Sequence, residues 1–354
     1  MQAERKPHPK IRDVAALAGV SVTTVSRVLN RHPYVRMELR DKVDGAIERL
    51  GYSPSSIARS LVRNKTDLIG VIASDVSASF FATILGAIEE RASRAGYAIL
   101  VGNIMEDLGK ELRYLEVFRG LRVDGIILMH EKTTQAIGGF LETLDIPVVL
   151  SSVKPPDMKF PSVNIDDETA TRDAVAYLVG LGHRRIALIG GDRSEISSGL
   201  RRFEGYRRAL EEAGLPFDET IVKFGDFKIP AGYRLMGELL ESKPYPDAVL
   251  ALSDDMAVGA LNRLFDEGLK VPGDISVMGF DDSTLATMTR PALTTVHQPI
   301  TDIGAASVDL LIRKIKGGGG SVEEVILGHR IVERSSCAPR TSRFEPGDGQ
   351  WIGR

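Results

Sequence analysis

Four outward-facing side chains on one short helix carry the clearest chemistry in the sequence. Within the run KIRDVAALAGVSVTTVSRVLN (10–30), helical spacing turns Val25, Val28 and Leu29 inward and leaves Val22, Thr23, Ser26 and Arg27 facing out. A polar helix face of that make-up, set in a basic segment, suits contact with a polyanion. Residues 1–66 hold 13 lysines and arginines against 6 carboxylates, a balance of +7, so a net charge of −3 leaves −10 for the remainder. A small cationic head on a larger acidic body predicts that only the head meets nucleic acid. Bond-making chemistry is not signalled: there is no GxGxxG after a predicted strand, no Walker loop, no GxSxG and no paired carboxylate at strand ends. One cysteine, Cys337, and six scattered histidines offer neither an internal disulfide nor a metal-ligand spacing. No catalytic residue, metal or cofactor is therefore expected. No apolar run approaches the ~18 residues of a membrane span, and MQAERKPHPKIRD lacks the apolar core of a secretory signal, so the expected location is the cytoplasm, at the nucleoid.

Three helices must hold that outward face. In the first, Asp13 sits in the opening turn, where a carboxylate suits the positive end of the helix dipole, and Val14, Leu17 and Ala18 form an apolar stripe. Ala15 is small enough for a second helix to cross close to it, and Gly19 supplies the backbone freedom of a tight turn. Ser21 is a natural N-cap for the second helix. Ala15, Gly19 and Val25 at this spacing meet the geometric requirement of a helix-turn-helix. A third helix is predicted over Met37–Leu50, with Leu39, Val43, Ala46, Ile47 and Leu50 on one face, ended by Gly51 and kept from resuming by Pro54. These residues make a headpiece of 1–54. Residues 55–66 follow as a linker whose SSIARSLVR run (55–63) is too short for a helix that stands alone in water.

On these residues, and above all on the VSRVLN run at 25–30, the head resembles the DNA-binding headpiece of LacI/GalR-type bacterial transcription regulators. The resemblance implies that the second helix enters the major groove, with Val22, Thr23 and Arg27 at base-reading positions and Thr24, Ser26 and Asn30 holding phosphates. An arginine can donate paired hydrogen bonds to guanine, and a valine offers apolar contact, as to a thymine methyl. Phosphate contacts fix register without reading sequence. By composition residues 55–63 read as a frayed linker. The resemblance instead implies a hinge helix that folds on double-stranded DNA and pairs with its dimer mate in the minor groove, where Ala58 and Leu61 pack and Leu61 is the wedge that unstacks the central base step.

From Asp67 onward short β-rich runs alternate with amphipathic helices. Strands are predicted at 68–73, 97–103, 123–129, 147–152, 162–166, 185–191, 220–225, 247–253 and 275–281, with helices such as 81–95, 168–181, 203–213 and 256–267 between them. Alternation of this kind makes doubly wound parallel α/β sheets, and two successive blocks predict two lobes with a ligand cleft beyond the strand ends. The runs VDGIIL, LGHRRIALIGG, RFEGYRRAL, SDDMAVGA, VPGDISVMGFDD and PALTTVHQP extend the resemblance through this body, which looks like a type I periplasmic-binding-protein fold. The resemblance implies an effector-binding and dimerisation body over 67–337, with a first lobe of 67–163 plus 292–324 and a second lobe of 164–291 plus a final strand pair within 325–337. Residues 338–354, rich in Arg, Gly, Pro and Ser without periodicity, read as a loose tail.

Polarity and strand-terminal position mark several residues in the body, and the resemblance implies their effector role: Phe80, Phe81, Ser152, Arg202, Phe227, Ser253, Asp254 and Asp281. An aromatic can stack on a sugar or base ring, and Arg202 and Asp281 supply one cation and one anion for charge-assisted bonds. Arg202 and Asp254 can alternatively cap helices or pair between lobes. The resulting expectation is a non-enzymatic, homodimeric repressor that reads a palindromic operator under control of a sugar, sugar phosphate or nucleobase. Two alternatives share parts of this pattern: a regulator controlled by a phosphorylated carrier protein, and a solute receptor without a DNA function.

Overall fold

Turn and cap chemistry set the headpiece as the spacing predicts. The computed structural model describes residues 9–30, 32–52, 65–130, 135–153, 160–318 and 322–340, which divide after Thr66 into two units. In the first, α1 (Ile11–Ala18), α2 (Val22–Leu29) and α3 (Met37–Leu50) close on Val14, Val25 and Val43, all fully buried. Gly19 takes the left-handed conformation at φ 65° between α1 and α2, and Ser21 Oγ accepts the Thr24 N–H at 3.1 Å to start α2. The Lys10 N–H donates to Asp13 at 2.7 Å. Leu17 departs from expectation: it is exposed, because the packed face of α1 runs through Ile11, Val14, Ala15 and Ala18 and Leu17 lies to one side of it. The segment 55–63, with Ala58 and Leu61, lies outside the described residues.

The second unit holds two six-stranded sheets. In the first, β1 (Leu68–Ala73), β2 (Ala98–Asn103), β3 (Gly125–Met129), β4 (Val148–Ser151), β5 (Ser162–Ile165) and β11 (Glu324–Leu327) stand in the order β11-β5-β4-β3-β1-β2, all parallel. In the second, β6 (Ile186–Gly191), β7 (Val222–Gly225), β8 (Ala248–Ala251), β9 (Ser276–Asp281), β10 (Thr294–His297) and β12 (Arg330–Val332) stand in the order β12-β10-β9-β8-β6-β7, with β12 alone antiparallel. The central strands are apolar and buried on both faces, as parallel strands covered by helices must be. Those helices are α4 (Ser79–Arg94), α5 (Leu108–Leu121), α6 (Gln135–Glu142) and α12 (Ile300–Ile315) on the first sheet, and α7 (Asp167–Gly180), α8 (Arg202–Glu212), α9 (Ile229–Glu241), α10 (Asp254–Asp266) and α11 (Thr284–Met288) on the second.

Lobe membership near the C-terminus differs from the expected partition. Strand β10 pairs with β9 in the second sheet, and β11 pairs with β5 in the first, so the chain changes lobes after β5, after β10 and between β11 and β12. Expected breaks at 291/292 and 324/325 therefore fall several residues later, at 298–299 and 328–329. Fully buried Thr294, Thr295 and Val296 explain the first shift, since their strand completes the second sheet between β9 and β12. The tail also begins later than expected. Ala338 N donates to Ser276 Oγ at 3.2 Å, and Arg340 reaches Asp247 at 2.7 Å, so residues 338–340 are fastened to the second lobe.

Candidate functional site

The outward face of α2 forms as spacing predicts. Val22, Thr23, Arg27 and Asn30 are exposed, while Thr24 and Ser26 are half-buried. Capping occupies part of this set. Thr24 Oγ1 lies 2.9 Å from Ser21 Oγ, and the Asn30 side chain donates to the Ser26 carbonyl at 2.9 Å. Val22, Thr23 and Arg27 keep their functional atoms outward on a helix fixed at its start by Ser21 and at its base by Val25 and Val28.

In the body, strand ends bring the predicted residues to two facing rims. On the first lobe, Phe80 and Phe81 occupy the opening turn of α4, with ring centroids 5.4 Å apart in an edge arrangement. Ser152 follows β4 in the left-handed region at φ 57°, its buried Oγ without a hydrogen-bond partner among the described residues. On the second lobe, Arg202 opens α8 and is only 6% exposed. Its Nε donates to Asp167 at 2.7 Å and its Nη1 to the Leu252 carbonyl at 2.8 Å, while the guanidinium carbon lies 3.8 Å from the Phe280 ring centroid. Nη2 makes no bond among the described residues. Asp281 ends β9 at 4% exposure and φ 120°, a strained backbone for a non-glycine residue. One carboxylate oxygen accepts from Gln298 Nε2 at 2.7 Å and the other has no partner among the described residues. Burial pushes this carboxyl well above its ordinary value, against the opposing charge of Arg202. Phe227 stands at φ 61° with its ring over Gly191, where a Cβ would come within 1.9 Å of it.

Ser253 and Asp254 are also bonded within the second lobe. Ser253 Oγ caps α10 by accepting the Met256 N–H at 3.1 Å. Asp254 is fully buried, with one oxygen accepting from Thr295 Oγ1 and the other from the Ser283 N–H, both at 2.6 Å. Both positions were expected at the ligand; each carboxylate oxygen of Asp254 already accepts one hydrogen bond from within the second lobe. Two residues the sequence did not single out, Asp167 and Gln298, orient Arg202 and Asp281. Polar contacts reach between the rims: Ser79, just before Phe80, donates to Asp255, just after Asp254, at 3.3 Å, and Lys228, just after Phe227, lies 3.4 Å from Asp75. A separate groove of about 830 Å³ beside β7, lined by Asp192, Arg193, Phe224, Asp226, Ala231 and Arg234, includes none of the predicted residues. Among the described residues no helix is long and apolar enough to cross a membrane, and no group of three side chains could hold a metal.

Residues 10–55 match the bacterial regulatory proteins of the lacI family, and residues 175–337 match the periplasmic binding protein-like domain. Catabolite control protein A of Priestia megaterium is 40% identical over 326 residues, which cover 92% of this chain and 98% of that protein. The chain belongs to the LacI family. Its fold agrees: the Lac repressor dimer bound to operator and the anti-inducer ONPF superposes with a TM-score of 0.84 at 30% identity, covering 94% of this chain and 100% of that one. The regulator CelR in complex with cellobiose gives a TM-score of 0.72 at 33% identity, covering 93% and 99%. As a LacI-family member, the protein is a DNA-binding transcriptional repressor under small-molecule control, not an enzyme.

Proposed function

We propose that this repressor binds a palindromic operator as a homodimer and takes a ring-bearing polar effector, a sugar, sugar phosphate or nucleobase, between its lobes. Val22, Thr23 and Arg27 read base edges, and Thr24, Ser26 and Asn30 hold phosphates. Ala58 and Leu61, outside the described residues, keep the hinge role that the family resemblance implies. The setting is the cytoplasm, at the nucleoid.

The observation that carries the effector reading is the state of Arg202 and Asp281. Each is more than nine-tenths buried, each is oriented by a neighbour, and each keeps one polar atom without a partner among the described residues. Those two atoms are the ones that stay open to solvent on otherwise buried side chains, and a hydroxyl-rich or anionic ligand would bond both. Phe80, Phe81 and Phe227 supply flat apolar surface for its ring, and Ser152 a further hydroxyl. The cellobiose carried by the similar CelR is a ligand of this class. Such a ligand changes operator affinity only through its different affinity for the two lobe arrangements.

A thermal-shift screen of sugars, sugar phosphates and nucleobases tests this, because a ligand that binds the folded state raises apparent stability by mass action. At least one class is expected to raise the melting temperature of the wild type, with the response lost in Arg202→Ala. A ligand that stabilises Arg202→Ala as much as the wild type would sink the assignment.

A further inference from the structure

The Lys228–Asp75 pair lies on the side of the body away from its three lobe crossovers, and the Ser79–Asp255 bond lies between it and them. The crossovers leave from β5, β10 and β11, and these strands with β12 occupy one edge of each sheet. Asp75 and Ser79 instead follow β1, next to the far edge strand β2, and Lys228 follows β7, itself the far edge strand; Asp255, in the first turn of α10, follows the central strand β8. Rotation about the crossovers separates groups in proportion to their distance from the pivot. A hinge motion whose backbone changes are taken up at the crossovers therefore breaks the Lys228–Asp75 contact early.

We propose that the Asp75–Lys228 ion pair, with the Ser79–Asp255 bond beside it, is a clasp that holds the lobes together and sets the balance between closed and open arrangements. Asp75 is shaped to receive a cation. It is 8% exposed, and its Oδ1 accepts from Ser77 Oγ at 2.6 Å and Ser77 N at 3.0 Å, which leaves Oδ2 to face Lys228. Burial acts to raise this carboxyl, but the Ser77 bonds and the lysine outweigh it and hold the group below the ordinary aspartate value. Lys228 is half-exposed, so the pair is a modest one that solvent competes for. A weak contact of this kind suits an equilibrium that a ligand must be able to tip.

The clasp also adjoins the proposed effector contacts. Lys228 follows Phe227, and Ser79 precedes Phe80. A ligand that moves either ring displaces a clasp residue one peptide away, so ligand and clasp bias the same two-state element. Strengthening the clasp would lower the ligand concentration at which a closed-lobe effector acts, and weakening it would raise that concentration.

The test measures lobe separation in the ligand-free protein, so its outcome does not depend on the effector reading. Spin labels are placed at Ser93→Cys on α4 and Glu211→Cys on α8, both exposed, with Cys337→Ser, and labelled chain is diluted into unlabelled chain before dipolar distances are recorded. The wild type should show mainly the short distance. Lys228→Met should raise the open-to-closed ratio by about two- to five-fold, the effect of losing a half-exposed pair. Lys228→Glu should raise it further, Lys228→Arg should keep the wild-type distribution, and 1 M NaCl should move the wild type toward Lys228→Met. Superimposable distributions for the wild type, Lys228→Met and Lys228→Glu at low salt would overturn the clasp, as would an equal shift in Lys228→Arg.

Discussion

Burial dominates the chemistry of Asp254, raising its carboxyl to about 7 against hydrogen bonds from Thr295 and Ser283 that favour the anion. The folded protein therefore binds a proton that the unfolded chain releases between about pH 4, the ordinary aspartate value, and about 7. The stability tied to this group is present in full at the acid end and is lost as pH rises through about 7. Asp281 shifts in the same direction. Asp282 is held low by Arg334 and His297 despite its own burial, so its contribution is lost only at more acid pH. An asparagine fits the Asp254 site, with its amide donating to Thr295 Oγ1 and its oxygen accepting the Ser283 N–H. Asp254→Asn should thus fold normally and show a smaller drop in melting temperature between pH 5.5 and pH 8 than the wild type. Identical pH profiles for the two proteins would show that Asp254 is ionised throughout.

The crossing of α7 and α8 fixes Arg202 against Asp167. Gly205 sits at that crossing, where an added Cβ would meet the Glu168 carbonyl oxygen at 2.2 Å. Gly205→Ala must push α8 off α7, at about 1–3 kcal/mol, and should weaken effector binding together with thermal stability. Unchanged affinity in a destabilised Gly205→Ala protein would separate helix packing from the site. The elements themselves were legible in the sequence. Nine strands and the principal helices follow from period and turn residues, and the headpiece from Ala15, Gly19, Ser21 and Val25. The lobe assignment of 292–327 was not, because β10 and β11 are four-residue strands whose sheet is decided by distant partners and not by their own pattern. The site was half legible for the same reason. Arg202 and Asp281 stand out by charge and strand-end position, whereas their partners lie 35 and 17 residues away and carry no local signal. Asp254 stands out equally by charge, and its bonds to Ser283 and Thr295, 29 and 41 residues away, carry no local signal either.

Charge is divided between head and body across the whole molecule, so the two activities should come apart. Removing residues 1–66 takes away a balance of +7 and should abolish operator binding while leaving the ligand-induced thermal shift intact. Loss of that shift in the truncated protein would mean that the body cannot bind its ligand alone. In the full-length chain, operator affinity should fall steeply with salt as phosphates are neutralised and counterions released, and titration of a two-fold symmetric site at several salt concentrations reads that slope directly. Within the body, Asp167 stands just beyond the first crossover, and Gln298 lies in the second. On the proposed assignment, each guest-facing charge is thereby tethered to a strip of backbone that must bend when the jaws swing, so occupancy and motion would share a pivot instead of requiring a relay through the core.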